Sequence, residues 1–135
     1  MSDASSPQPT APMGPADLFD VSGKTVVVTG GTRGIGAMIA GGFVAGGATV
    51  IVSSRKADAC EQTAARLSEF GTCAGIPADL STEEGAQALA TAVAAQHDHV
   101  DVLVNNAGAT WGVPLAEHDS ASWSRVLDLN VQGVF

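Results

Sequence analysis

The stretch Thr29-Gly30-Gly31-Thr32-Arg33-Gly34-Ile35-Gly36 has the composition of a turn that holds a phosphate with its backbone. It follows a β-rich run, Thr25-Val26-Val27-Val28, and opens a helix-period run beginning at Ile35. At such a junction the helix's first N–H groups are unpaired and its dipole favours negative charge. Glycine lets the chain reverse tightly and removes the Cβ that would keep backbone and phosphate apart. The strand–turn–helix context is the one a dinucleotide fingerprint requires. A P-loop would need Lys-Ser/Thr after the last glycine; Gly36 is followed by Ala37-Met38, which excludes it.

A dinucleotide turn calls for a ribose reader at the end of the next strand, about 20 residues on. An acid there would accept from the 2′-hydroxyl of NAD, but the chain has Ser53-Ser54-Arg55 and no carboxylate. Arg55 can make charge-assisted bonds to a 2′-phosphate, on the order of 1.5–3 kcal/mol. Arg33 can approach the same phosphate from inside the turn, and Ser54 stands beside it. The expected cofactor is therefore NADP(H). As ordinary surface residues both arginines would simply be solvated. Asp79-Leu80 ends the third strand, where the Asp79 carboxylate either accepts from an adenine amino group or helps cap the helix that follows. Asn105-Asn106-Ala107-Gly108 closes the fourth strand, either holding a ligand through amide groups or serving only as turn chemistry. Asn130 falls among apolar neighbours in a helical run and, if buried, needs a hydrogen-bond partner.

These residues must be positioned by alternating strands and helices. A flexible Ser/Pro/Ala-rich tail is expected over residues 1–17, with one domain over 18–135. The first helix is predicted over about 34–45, with Ile35, Ile39 and Phe43, and Ala40 and Val44 beside them, facing the sheet and Gly41-Gly42 as a local cost. A second strand over 48–53 and a helix over 57–69, with Cys60, Ala64 and Leu67 inward, follow. A third strand (72–77), a helix over 82–96 capped by Ser81, and a fourth strand (100–105) come next. A last helix starts near Ser120 and is still running at Phe135. The expected fold is an α/β, doubly wound parallel sheet of Rossmann type with strand order 3-2-1-4. The glycine turn then lies at the switch point, where such sheets bind ligands.

Composition narrows the function classes. The chain has 135 residues, 45% hydrophobic and 15% charged, enough for one domain with a real core. Its net charge of −8 argues against nucleic acid and anionic membrane as partners. No apolar run approaches the roughly 20 residues of a membrane span. Two cysteines, Cys60 and Cys73, have neither disulfide-framework nor metal spacing, and the three histidines form no metal set. A reducing cytoplasm is the default.

Taken in order and spacing, Thr29 to Gly36, Asp79, Asn105 to Gly108 and Asn130 resemble the short-chain dehydrogenase/reductase family, from about Phe19 to the end. The resemblance implies that Gly30, Gly34, Ile35 and Gly36 hold the pyrophosphate and that Asp79 and Leu80 bind adenine, with Thr32 and Arg33 of the turn also among the cofactor-binding residues. It also implies that Asn105 to Gly108 support the nicotinamide side, with Asn106, Ala107 and Gly108 binding the cofactor, and that Asn130 is catalytic, anchoring a water in the proton relay. Ser22-Gly23-Lys24, Arg66-Leu67-Ser68, Ile76 to Ser81 and Asn105 to Gly112 are similar to the branch of NADPH-dependent 3-oxoacyl reductases of the rhamnolipid-biosynthesis type. In that branch Trp111 would border the substrate pocket above the nicotinamide; packing on the last helix is the alternative. Trp123 is expected in the core. A homo-oligomer, a tetramer by resemblance, is implied.

One departure matters. The family uses a Ser and a Tyr-x-x-x-Lys pair, and this chain contains no tyrosine. The expectation is the cofactor-binding N-terminal part of a longer enzyme, leaving the fourth strand as an open edge. Its substrate is expected to be a 3-oxoacyl thioester, on an acyl carrier protein, on coenzyme A or as a free small-molecule ketone. An acidic carrier would need a local basic patch, such as one around Arg125. The alternatives are a short-chain enzyme for another carbonyl or alcohol, and a non-catalytic NADP(H)-binding module.

Overall fold

A computed structural model describes residues 14–135. The expected tail falls mostly on residues 1–13, outside the described residues; α1 (Pro15–Leu18) is a single exposed helical turn. Then come β1 (Thr25–Thr29), α2 (Gly34–Ala45), β2 (Thr49–Ser54), α3 (Ala57–Ser68), β3 (Thr72–Pro77), α4 (Glu83–Ala94), β4 (Val102–Val104) and α5 (Ser120–Asn130). The strands form one parallel sheet in the order β3-β2-β1-β4, as the alternation of strand and helix requires. Val27 pairs with Ile51 on one side and Leu103 on the other. The chain therefore switches direction at β1, which places the glycine turn at the crevice between its two neighbours.

The two central strands are buried on both faces, which is why β1 and β2 read as unbroken apolar runs. Val26, Val28, Val50 and Val52 pack against Ala40 and Val44 of α2 and Leu67 of α3. Val27 and Ile51 point the other way, onto Leu80 and onto Leu89 and Val93 of α4. Fully burying each such side chain stabilises by roughly 1.5–3 kcal/mol. At the base of the sheet, the Thr25 N–H donates to Asp101 Oδ2 at 2.8 Å, joining the start of β1 to the residue before β4. β4 is shorter than expected and forms an open edge, with Leu103 57% exposed. Among the described residues no helix is long and apolar enough to cross a membrane.

Several local expectations are corrected. The buried stripe of α2 is Gly36, Ala40 and Val44; Ala40 and Val44 face inward as expected, but Ile35 is 71% exposed and Gly36 takes its place. The cause is close approach: a Cβ on Gly36 would strike the Gly30 carbonyl oxygen, so the small-residue face goes inward. Ile39 and Phe43 flank that stripe, partly buried. Gly42 approaches nothing, since a Cβ there would meet no atom within 4 Å. On α3 the fully buried residues are Cys60, Thr63 and Leu67, with Thr63 in place of Ala64. The cap of α4 is Thr82, not Ser81; its hydroxyl accepts from the Gly85 N–H at 3.1 Å. α5 does not run on to Phe135. It ends at Asn130 and gives way to a 3-10 turn, Gln132–Val134, which sets Gly133 against the Leu80 carbonyl, where a Cβ would not fit. Asn130 is thus exposed at a helix end and not enclosed by apolar neighbours. Trp123 is 62% exposed, its ring centroid 6.3 Å from that of His118, and is no core residue.

Candidate nucleotide-binding site

The site is built from the last residue of β1. The Thr29 hydroxyl donates to the Val104 carbonyl at 3.1 Å and accepts from the N–H groups of Asn106 and Ala107, both at 3.0 Å. One hydroxyl therefore fastens the end of β4 to the end of β1 and uses its full bonding capacity. The Asn106 side chain returns the contact, its Nδ2 donating to the carbonyls of Thr29 (2.9 Å) and Gly30 (3.2 Å). On the other side the Gly31 N–H donates to the Ser53 carbonyl at 3.2 Å, and the Thr63 hydroxyl donates to the Thr32 carbonyl at 3.2 Å. Neighbouring elements thus hold the carbonyls of the turn on its protein side.

The N–H groups face a different situation. α2 starts at Gly34 with Arg33 as its cap residue and no side-chain cap. The first N–H groups of the helix lack protein acceptors until Ala37, which donates to the Arg33 carbonyl. Gly30 (φ +63°) and Gly34 (φ +52°) both adopt left-handed backbone, for different reasons. A Cβ on Gly30 would press on Asn106 Nδ2 at 2.9 Å and on the Ala107 backbone, whereas one on Gly34 would meet nothing within 4 Å. Gly30 is needed for packing, and Gly34 keeps the outer side of the turn open.

Beside the turn lies a cleft of about 680 Å³. Gly30, Thr32 and Arg33 line it from the turn, Ser54, Arg55 and Lys56 from the end of β2. Leu80, Ala107, Gly108 and Leu129 complete it. No carboxylate is in that lining, while it holds three of the chain's six cations. Among the described residues neither Arg33 nor Arg55 has a carboxylate within 4.0 Å. The buried Ser53 hydroxyl, also at the cleft, has no hydrogen-bond partner among the described residues.

The remaining expected residues lie outside the lining. Gly34, Ile35 and Gly36 form the first turn of α2, with Gly36 backed onto Gly30 and Asn106. Asp79 Oδ1 accepts from the Ser81 N–H (3.1 Å) and hydroxyl (2.7 Å), and these bonds hold its carboxyl below the ordinary carboxylate range, helped slightly by Arg55. Its Oδ2 has no protein partner among the described residues. Asn130 grips the loop after β4: its Oδ1 accepts the Ala109 N–H at 2.7 Å and its Nδ2 donates to the Ala109 carbonyl at 2.9 Å. Trp111 lies under the Arg125 guanidinium of α5, 3.9 Å from ring centroid to the guanidinium carbon. Three residues escaped the sequence reading. Lys56, in the cleft lining, had only its place next to Arg55 as a signal. The Thr29 hydroxyl had only its place at the end of the β-rich run as a signal, and Thr63 only its helical spacing between Cys60 and Leu67.

Comparison with known proteins agrees with this geometry. Residues 24–135 match the family described as short chain dehydrogenase. The rhamnolipids biosynthesis 3-oxoacyl-[acyl-carrier-protein] reductase of Pseudomonas aeruginosa is 49% identical over 117 residues, 87% of this chain and 46% of that protein. The 3beta-hydroxysteroid dehydrogenase 1 of Eggerthella lenta is 38% identical, over 86% of this chain and 45% of that protein. Among solved structures, the Pseudomonas aeruginosa RhlG/NADP active-site complex superposes with a TM-score of 0.85 at 48% identity, covering 91% of this chain and 47% of that one. The L-sorbose reductase of Gluconobacter frateurii, complexed with NADPH and L-sorbose, gives 0.81 at 32% identity over 86% and 46%. The chain spans about half the length of the curated relatives it matches. With the glycine turn, the switch-point cleft and this match in hand, the chain belongs to the short chain dehydrogenase family.

Proposed function

We propose that this chain is the cofactor-binding part of an NADPH-dependent oxidoreductase that reduces a 3-oxoacyl thioester to its 3-hydroxy product. The observation that carries the reading is the charge of the cleft: Arg33, Arg55 and Lys56 line it without a carboxylate, in a chain of net charge −8. Such a lining suits a 2′-phosphate and would leave an NAD ribose without its usual acceptor. The residues present fit the group. Gly34 leaves a cradle open at an uncapped helix N-terminus, and the two arginines have no competing carboxylate. When bound, NADP(H) supplies the hydride chemistry. The chain's own residues bind and orient: the first turn of α2 takes the pyrophosphate, Arg33 and Arg55 the 2′-phosphate, and Asp79 Oδ2 is placed as an acceptor for adenine. Asn106 fixes the turn, and Asn130 fixes the Ala109 backbone and anchors the relay water.

The thioester substrate is supported by the identity with the rhamnolipids biosynthesis reductase. The proton donor is not among these residues, which include no tyrosine, and in this reading it comes from a catalytic part outside them. A second reading, a short-chain enzyme for another carbonyl, draws support from the similarity to the steroid and sorbose enzymes. The deciding experiment is NADPH oxidation by the full-length protein with 3-oxoacyl thioesters against simple ketones. Preference for the thioester is expected, preference for a ketone or sugar selects the second reading, and binding without turnover of either overturns both.

A further inference from the structure

The chain carries six cations, and five have an evident place. Arg33, Arg55 and Lys56 line the cleft, Lys24 pairs with Asp101, and Arg66 sits in the last turn of α3 near Cys73. Arg125 is the sixth; it is exposed on α5 with no carboxylate within 4.0 Å among the described residues. Its guanidinium carbon lies over the Trp111 ring, 3.9 Å from the centroid. An arginine stacked this way has its rotamer fixed by the ring quadrupole while its in-plane N–H fork stays free.

The position of the pair is set by a neighbouring contact. Ala109 and Asn130 exchange two hydrogen bonds, and the pair Trp111 and Arg125 lies two residues further along the loop and five back along α5. Arg125 and Leu129 are four residues apart on α5 and so share one helix face about one turn apart, and Trp111 is three residues, at most about 11 Å, beyond Gly108. Gly108 and Leu129 line the cleft. Gly108 follows β4 and Arg55 follows β2, and these strands flank β1, about 10 Å apart. The stacked cation therefore continues the cleft wall on the side away from the 2′-phosphate arginines.

We propose that Trp111 and Arg125 form an anion reader at the substrate end of the cleft, taking the phosphate of the pantetheine arm that carries the acyl thioester. The proposal rests on the reductase reading above. A planar fork matches a phosphate bidentately, and a fixed cation on an otherwise acidic chain is where an anionic substrate meets attraction. Coenzyme A and a phosphopantetheinylated carrier protein share this chemistry.

The test compares one 3-oxoacyl group on coenzyme A, on a phosphopantetheinylated carrier, and on N-acetylcysteamine, which has no phosphate, using the full-length protein. Arg125→Gln is expected to raise KM for the coenzyme A thioester about tenfold relative to KM for the N-acetylcysteamine thioester. Arg125→Lys, which keeps the charge and loses the fork, should raise the ratio less. A raised ratio on both phosphate-bearing substrates supports the shared arm; a raised ratio on one supports it for that source. Ratios unchanged for both overturn the proposal alone. If the wild-type protein reduces neither thioester, the reductase reading fails and the proposal with it.

Discussion

Asn106 donates to Thr29 twice, from its backbone and from its side chain. The Asn106 backbone N–H donates to the Thr29 hydroxyl at 3.0 Å, and the Asn106 side-chain amide donates to the Thr29 carbonyl at 2.9 Å. The same amide reaches the Gly30 carbonyl at 3.2 Å. The shape of the glycine turn is therefore dictated by a residue 76 positions away from Gly30. Asn106 holds the turn on which the proposed cofactor site is built.

Asn106→Ala removes both side-chain bonds and should lower unfolding free energy by roughly 1–3 kcal/mol. Asn106→Asp should cost more, because a carboxylate would face two carbonyl oxygens. Thr29→Val keeps the shape but strips the acceptor from two N–H groups and should fall in the same range. Urea denaturation monitors all three. A loss of NADPH affinity should accompany them, read by titration; Asn106→Ala with wild-type stability would overturn the positioning role.

Three glycines of the turn and helix should respond to alanine with different signs. Gly36→Ala drives a methyl into the Gly30 carbonyl and Asn106, so loss of folding or of NADPH binding is expected. Gly34→Ala meets no atom but is strained at φ +52°, at a cost of about 1 kcal/mol. Gly42→Ala lies in a regular, exposed helix with nothing within 4 Å and should stabilise by about 0.5–1 kcal/mol. Thermal melts of the three variants provide the comparison.

The sheet was legible because its physics is local. Val26 to Val28 and Val50 to Val52 are continuous apolar runs, and right-handed crossovers leave few orders for them. The facing of α2 was not, because counting apolar residues favours Ile35 over Gly36. The decisive contact, Gly36 on Gly30, depends on the absence of a side chain. The end of α5 depends on Gly133 meeting Leu80, 53 positions earlier in sequence, which no local pattern encodes. Of the adjacent asparagines, spacing does not tell which turns toward β1; the structure turns Asn106. For Asn130 the need for a partner was readable from chemistry, and the partner, the Ala109 backbone, required the fold.

Arg55 provides the test of cofactor choice. It lines the cleft with no carboxylate partner within 4.0 Å among the described residues. Removing it should weaken only a ligand bearing the 2′-phosphate. Arg55→Ala is expected to raise KM for NADPH by about tenfold or more while changing KM for NADH little. Equal effects on both cofactors would remove the 2′-phosphate assignment for this residue and leave Arg33 to carry it.

Acid should unsettle the fold through carboxylates tied to backbone and hydroxyl donors. Asp20, Asp79, Asp101 and Asp119 are all held below the ordinary range; for Asp79 the causes are the Ser81 hydroxyl first and its backbone N–H second. A carboxyl lowered on folding contributes stability fully above its unfolded value, near 3.9, and that contribution is lost as pH falls through the lower folded value. Stability should therefore be flat from neutrality to about pH 5 and decline below about pH 4, with small individual contributions because these groups are solvent-screened. Ser81→Ala deletes the main cause at Asp79 while keeping the backbone donor, so the Asp79 titration should move up toward 3.8. Asp119, held by Ser122, should not move. Carbon-detected NMR titration of the side-chain carboxyls distinguishes the two, and an Asp79 midpoint unchanged in Ser81→Ala would show that the hydroxyl at 2.7 Å is not what keeps this carboxylate ionised beside the cleft.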